Sequence, residues 1–112
     1  MEATVNRVEI KGFLGRDAEE KNFESGRTLI TFSVATSESY KNTKGEWVDN
    51  TTWHNISLWK NGKDDNYDFL KKGTLVAVTG KLNTRKYTDK EGKDRYITEI
   101  VAQKVDQVVY EA

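Results

Sequence analysis

The 112-residue chain contains no cysteine, no proline, a single histidine and no excess charge of either sign. Without cysteine, neither a disulfide framework nor a thiolate zinc site can form. Without proline, every strand keeps its backbone hydrogen-bond donors. Eighteen basic residues balance eighteen acidic ones, so overall charge alone cannot hold a polyanion. A basic surface requires a fold that brings lysines and arginines together.

Catalytic and membrane signals are also missing. The sequence has neither a Gly-x-Ser-x-Gly motif nor phosphate-loop spacing. We therefore expect no enzyme activity, no cofactor and no metal. No apolar run approaches the roughly 20 residues of a membrane span, and residues 1–6 lack a signal-peptide pattern. We expect one cytoplasmic domain covering residues 1–112.

Alternation of apolar and polar residues predicts five strands, at about residues 7–14, 29–36, 52–59, 75–87 and 95–102. Successive side chains in a strand point to opposite faces, so alternate residues define an inner face. The predicted inner residues are Val8, Ile10, Gly12, Leu14, Ile30, Phe32, Val34, His54, Ile56, Leu58, Val76, Val78, Gly80, Leu82, Tyr96, Thr98, Ile100 and Ala102.

The connections indicate the order of the elements. Residues 24–27 predict a hairpin turn between a short extension of the first strand and the second strand. Residues 40–50 predict a flexible hairpin loop, and residues 89–94 predict another. The segment 60–72 is the only helix candidate. This order, with one short helix between strands 3 and 4, is that of an OB-fold, a five-stranded Greek-key all-β barrel. Gly12 and Gly80 suit its sharp bends, and a small β-sandwich is the alternative fold.

The third strand carries two tryptophans on the face opposite its apolar residues. Ile56 and Leu58 point one way, so Trp53 and Trp59 point the other, among small polar residues. Flat rings on an open sheet face suit the stacking of unpaired bases. The alternative is that a second layer of the protein covers these rings.

In six stretches the sequence resembles the bacterial single-stranded DNA-binding proteins. The matching stretches are residues 5–17, 35–40, 52–54, 67–73, 80–89 and 94–96. They follow the order of the family and cover nearly the whole chain. Each motif is weak alone, but together they agree with the fold predicted from the strands.

The resemblance implies a homotetramer of OB-folds that binds single-stranded DNA without sequence preference, in replication, recombination and repair. The stacking positions of the family correspond here to Tyr40, Trp53, Trp59 and Tyr87. His54 corresponds to a position that supports subunit association. We expect phosphate contacts from basic residues near the rings: Lys41, Lys44, Lys60, Lys71, Lys72, Lys81, Arg85, Lys86 and Arg95.

Some features depart from the family. The given sequence ends at residues 110–112 without an acidic tip, so we expect no replication partner recruited through a tail. Phe13 stands where the family often has a polar residue. Arg7 and Lys11, on the outward parity of the first strand, are as compatible with an interface or solvent as with DNA.

Two other functions remain open. One is a dimeric, tailless primosomal accessory protein of the same fold. The other is a protein-interaction or sugar-binding barrel, which would show no affinity for oligonucleotides.

Overall fold

The computed structural model describes residues 3–60 and 67–109. All regular elements in these residues are β-strands. The described residues therefore include no helix that is long and apolar enough to cross a membrane. The six strands are β1 (Val8–Leu14), β2 (Glu19–Asn22), β3 (Thr28–Lys41), β4 (Trp47–Lys60), β5 (Leu75–Thr88) and β6 (Asp94–Gln107).

The strands form one closed sheet. Its order is β1-β5-β6-β4-β3-β2, and β1 also pairs with β3. The first strand lies antiparallel to β5 and then reaches β3, where Phe13 is opposite Ala35. The barrel is completed by a short parallel contact between β4 and β6, where Ile56 is opposite Ile100. This closure confirms the predicted OB-fold, with β2 as the predicted extension of the first strand.

The inner face of the barrel is filled by the alternating apolar residues of the long strands. Ile30, Phe32 and Val34 are buried on β3. Three inner-face predictions are wrong, because Leu82 is 51% exposed, Tyr96 is 71% exposed and Thr98 is also exposed. Tyr96 and Thr98 lie where β5 and β6 form a paired ribbon beyond the barrel, so the alternation continues with no core beneath it. Leu82 lies at the base of that ribbon, opposite the buried Ile100. The remaining members of the core are Leu14, Ile56, Leu58, Leu70, Val76, Val78, Ile100, Ala102 and Val105.

At Gly12 and Gly80 the backbone of another strand approaches too closely for a side chain. A Cβ on Gly12 would collide with the carbonyl oxygen of Ala35, and one on Gly80 would collide with that of Val101. The β5–β6 register also shifts between Thr79 and Gly80. Close backbone approach accounts for glycine at both positions, and the bends predicted there stay a prediction.

The described part of the predicted helix is not helical. Residues 67–74 form turns, while residues 61–66 lie outside the described residues. Ala18 donates its N–H to the carbonyl of Leu70, and Gly73 donates to that of Leu14. Because these backbone groups are bonded outside the segment, they cannot form helical bonds. The segment still contributes the buried side chain of Leu70 to the core.

The hairpin predicted over residues 40–50 is present, but its loop is shorter than predicted. The strand β3 continues to Lys41 and β4 begins at Trp47, directly opposite it. Only five residues separate the strands. The side-chain oxygen of Asn42 accepts N–H bonds of 2.9 Å from Lys44 and Glu46, which orders the turn.

Candidate nucleic-acid interface

Two exposed ribbons extend from the barrel. The β3–β4 arm pairs residues 37–41 with residues 47–51, and the β5–β6 arm pairs residues 83–88 with residues 94–99. The turns at their tips have the same hydrogen-bond pattern. The side-chain oxygen of Asp89 accepts N–H bonds of 2.9 Å from Glu91 and Lys93, as Asn42 does in the β3–β4 arm. Both tips are thus held by their own hydrogen bonds.

Trp53 lies at the root of the β3–β4 arm, with 58% of its surface exposed. It is opposite Ala35, which is in turn opposite Phe13, so the three side chains share the outer face of the barrel. A Cβ on Gly15 would collide with the six-membered ring of Trp53. The indole therefore packs against a backbone that has no side chain, and its prediction as an outward residue is confirmed.

Trp59 lies farther along the same outer face and is half-buried. The ring of Phe23 is 5.5 Å from it, and the guanidinium carbon of Arg27 is 4.3 Å from its ring centroid. The side chains of Phe23 and Arg27 therefore cover part of the Trp59 ring. A base that stacks on Trp59 must use the uncovered surface or displace Arg27.

The two predicted tyrosines lie on different arms. Tyr40 is 54% exposed near the tip of the β3–β4 arm, opposite Val48. Strand alternation puts it on the opposite side of that ribbon from Trp53. Tyr87 is 43% exposed on the β5–β6 arm, opposite Arg95. The four predicted rings are therefore divided between the outer face of the barrel and the two arms.

An open groove of about 450 Å³ runs between Trp59 and the β5–β6 arm. Glu99 lies on this face of the arm, with only 12% of its side chain exposed. Its carboxylate accepts a 2.8 Å hydrogen bond from the hydroxyl of Ser57 and a 3.2 Å bond from the Nε of Arg85. The groove is lined by Lys21, Phe23, Leu29, Thr31, Ser57, Trp59, Asn83, Arg85, Glu99 and Val101.

Three of the predicted phosphate-binding residues are held by carboxylates. Arg85 pairs with Glu99, and strand register puts both on the same side of the arm as Tyr87 and Arg95. Lys86 pairs with Asp94 at 3.1 Å on the opposite side. A phosphate that binds any of these cations competes with a carboxylate of the protein.

The third of these pairs joins Arg95 to Asp89 at the tip of the β5–β6 arm. The Nε of Arg95 is 3.0 Å from the Oδ2 of Asp89. This guanidinium, together with the N–H of Lys93, lowers the pKa of the Asp89 carboxyl below its usual value of 3.8. The ionised carboxylate of Asp89 is therefore favoured, and it is this form that pairs with Arg95.

The six other predicted cations form no ion pair with a carboxylate in residues 3–60 or 67–109. Their positions differ. Lys72 follows the turn that contains Leu70, and its backbone N–H donates a 2.8 Å hydrogen bond to the Oδ1 of Asp17. Asp17 is two residues from Gly15 in the sequence. Lys81 begins the exposed part of β5. The set is Lys41, Lys44, Lys60, Lys71, Lys72 and Lys81, of which only Lys60 is half-buried and the rest are exposed.

His54 is partly buried, and its Nε2 lies 2.9 Å from the hydroxyl of Thr36. The ring is thus hydrogen-bonded, and its partial burial agrees with the predicted inner parity of His54. No group of three potential metal ligands occurs in the part of the chain that the structure describes. The contact accounts for the orientation of the ring, and the predicted role of His54 in assembly stays a prediction.

Several residues near the rings were missed from the sequence. Arg27 and Phe23 contact Trp59, Gly15 makes room for Trp53, and Glu99 restrains Arg85. The contact of Arg27 with Trp59 follows from the β3–β4 register, in which Thr28 is opposite Lys60, and the sequence alone does not fix that register. No local pattern reveals the other two contacts, which join distant segments.

The sequence model of the Single-strand binding protein family matches residues 5–108. The chain belongs to this family. It is 39% identical over 99 residues to the Single-stranded DNA-binding protein of Neisseria meningitidis serogroup A, covering 88% of this chain and 57% of that protein. It is 40% identical over 98 residues to Single-stranded DNA-binding protein 1 of Chlorobaculum tepidum, covering 87% and 60%. The chain thus spans about three fifths of the length of these relatives.

Solved structures of family members share the fold. A structure described as Plasmodium falciparum SSB complex with ssDNA is 30% identical, with a TM-score of 0.83, and 99% of each chain is covered. A deletion mutant of the single-stranded DNA binding protein from Thermus aquaticus has a TM-score of 0.81 at 20% identity, covering 94% of this chain and 51% of the other. The second likeness concerns the fold alone.

Proposed function

We propose that this protein binds single-stranded DNA without sequence preference, by stacking unpaired bases on its exposed rings. The observation that carries the proposal is the exposed indole of Trp53, packed against Gly15 at the root of the β3–β4 arm. The relatives named single-stranded DNA-binding protein and the neighbour described in complex with ssDNA support it. Every base has a flat face, so stacking of this kind tolerates any sequence.

Bases and phosphates have separate partners in this proposal. Trp53, Trp59, Tyr40 and Tyr87 stack on bases, while the predicted lysines and arginines contact phosphates. Because the net charge is zero, stacking supplies a sizeable share of the affinity. Duplex DNA binds poorly, because paired and stacked bases cannot reach the rings.

The proposal includes assembly and cellular role. The protein forms a homotetramer, with His54 as an assembly residue, and it has no catalytic activity. It acts in the cytoplasm at the nucleoid, where it protects transiently unwound DNA during replication, recombination and repair. Analytical ultracentrifugation separates this tetramer from a dimeric accessory protein of the same fold.

Trp53→Ala tests the site directly. It removes an exposed ring, so the domain stays folded, and binding of a labelled oligo-thymidine weakens by about 1–3 kcal/mol. Trp53→Phe is the matched control, because it keeps an aromatic surface at the same position and retains most of the affinity. Unchanged affinity in Trp53→Ala, with an unchanged circular dichroism spectrum, removes Trp53 from the site.

A further inference from the structure

The three tryptophans of the chain all lie on β4, six residues apart, at Trp47, Trp53 and Trp59. The β3–β4 register is continuous from Lys41–Trp47 to Thr28–Lys60. An interval of six residues keeps the same strand face and corresponds to about 20 Å. The tryptophans therefore form one row along the outer side of a single strand, and only two of them belong to the site described above.

Trp47 is the most exposed of the three, at 71%, and it is held in place by regular structure. It is the first residue of β4 and lies opposite Lys41, the last residue of β3. The turn beside it is closed by an N–H bond of 2.9 Å from Asn42 to the carbonyl of Glu46. A ring on an ordered hairpin end offers a stacking surface that needs little ordering on binding.

The charges around Trp47 allow a nucleic-acid strand to approach. Lys41 shares its face, and Lys44 lies in the adjoining turn. Neither lysine forms an ion pair with a carboxylate in the described residues. Asp49 lies on the same face toward Trp53, and its Oδ1 accepts a 2.6 Å hydrogen bond from the hydroxyl of Ser39. With Glu46 in the same turn as Lys44, two cations and two anions lie at this end of the row.

We propose that Trp47 is a further base-stacking residue, and that bound single-stranded DNA follows β4 past Trp53 to the tip of the β3–β4 arm. The inference rests on the proposed function and extends its binding path. Its basis is the continuity of one outer strand face, the equal spacing of three rings and the lysines at its exposed end. A contact with a second copy of the chain is the competing use of the same ring.

Single-tryptophan variants test the proposal, because each remaining indole reports on its own position. Trp53→Phe with Trp59→Phe leaves only Trp47, and Trp47→Phe with Trp59→Phe leaves only Trp53. Each variant is titrated with oligo-thymidines of about 4 and about 16 nucleotides, the range of site sizes for one OB-fold. We expect both strands to quench Trp53, and only the longer strand to quench Trp47.

Affinity gives a second, independent readout. Trp47→Ala weakens binding of the longer strand about tenfold, as loss of one stacked base does, and leaves binding of the shorter strand unchanged. Trp47→Phe keeps a stacking ring and preserves most of the affinity. Thr43→Ala, an exposed change in the same turn, preserves all of it.

The outcomes separate this inference from the proposed function. Quenching of Trp53 by the longer strand without quenching of Trp47 overturns the inference and leaves the function standing. A Trp47 signal that depends on protein concentration without DNA overturns it in favour of a contact between copies. Absence of quenching in both variants contradicts the function and the inference together.

Discussion

The six-membered ring of Trp53 occupies the space that a Cβ on Gly15 would need. Gly15 directly follows β1, and Trp53 belongs to β4, so the contact joins two distant parts of the chain. The glycine is required here by the ring above it, since its own backbone conformation is not left-handed. Gly15 is in this way a positioning residue for a ring that we propose to bind DNA.

Gly15→Ala is expected to displace the indole and to weaken binding of single-stranded DNA by up to about 1–3 kcal/mol, the contribution of one stacked base. The fold should persist, because the exposed ring can move toward solvent. Fluorescence anisotropy with a labelled oligo-thymidine measures the loss. In a Trp53→Ala background, Gly15→Ala should have no further effect. An equal loss in both backgrounds shows that the glycine acts through the barrel instead.

Asp89→Asn is expected to strengthen binding at low salt by releasing Arg95. The amide oxygen of asparagine can still accept the N–H bonds from Glu91 and Lys93, so the turn remains. Arg95, which lies opposite Tyr87, then becomes available to a phosphate. The slope of log affinity against log salt should become more negative by about 0.7, the value for one phosphate contact on a single strand.

Asp106→Asn is the matched control for that change. It removes the same negative charge, but Asp106 pairs with Lys104 at 3.6 Å, outside the predicted phosphate set. If both variants change the salt slope equally, the effect comes from net charge and the Asp89–Arg95 pair has no special role.

His54→Ala is expected to dissociate the proposed tetramer, as the resemblance to the family implies. Sedimentation velocity at low micromolar concentration measures the change. Thr36→Val removes the hydroxyl that contacts the His54 ring while leaving the imidazole in place, so it should remain tetrameric. A tetramer that persists in His54→Ala rules out the assembly role.

Gly80→Ala is expected to destabilise the barrel by about 1–3 kcal/mol, the range for overpacking. The added methyl group meets the carbonyl oxygen of Val101 at the shift in the β5–β6 register. Urea unfolding followed by circular dichroism measures the change. Thr79→Ala, at the neighbouring residue, should have a much smaller effect. Equal stability of the two variants contradicts the close approach at Gly80.

The core of the barrel was predictable because it depends on local alternation. Ile30, Phe32 and Val34 are buried where the pattern puts them. Leu82 and Tyr96 follow the same alternation, yet they are exposed, because nothing in the local pattern marks where a strand leaves the barrel. The order of the long strands likewise follows from the sequence, whereas the length of each ribbon follows from the closed turns at its tip.

The sequence predicts the orientation of the aromatic rings in the candidate site better than it predicts the contacts of the charged side chains. The outward orientation of Trp53 follows from the parity of one strand. The restraint of Arg85 by Glu99 depends on a cross-strand diagonal, and the cover of Trp59 by Arg27 depends on the β3–β4 register. These contacts depend on how the strands pair, so neighbours in sequence do not reveal them.

Base stacking can be measured by tryptophan fluorescence during titration with a long oligo-thymidine, repeated with duplex DNA and at two salt concentrations. We expect strong quenching by the single strand and little by the duplex, with a log–log salt slope of about −0.7 for each phosphate contact. Absence of quenching by the single strand, in protein shown to be folded, would contradict base stacking and favour an interaction barrel.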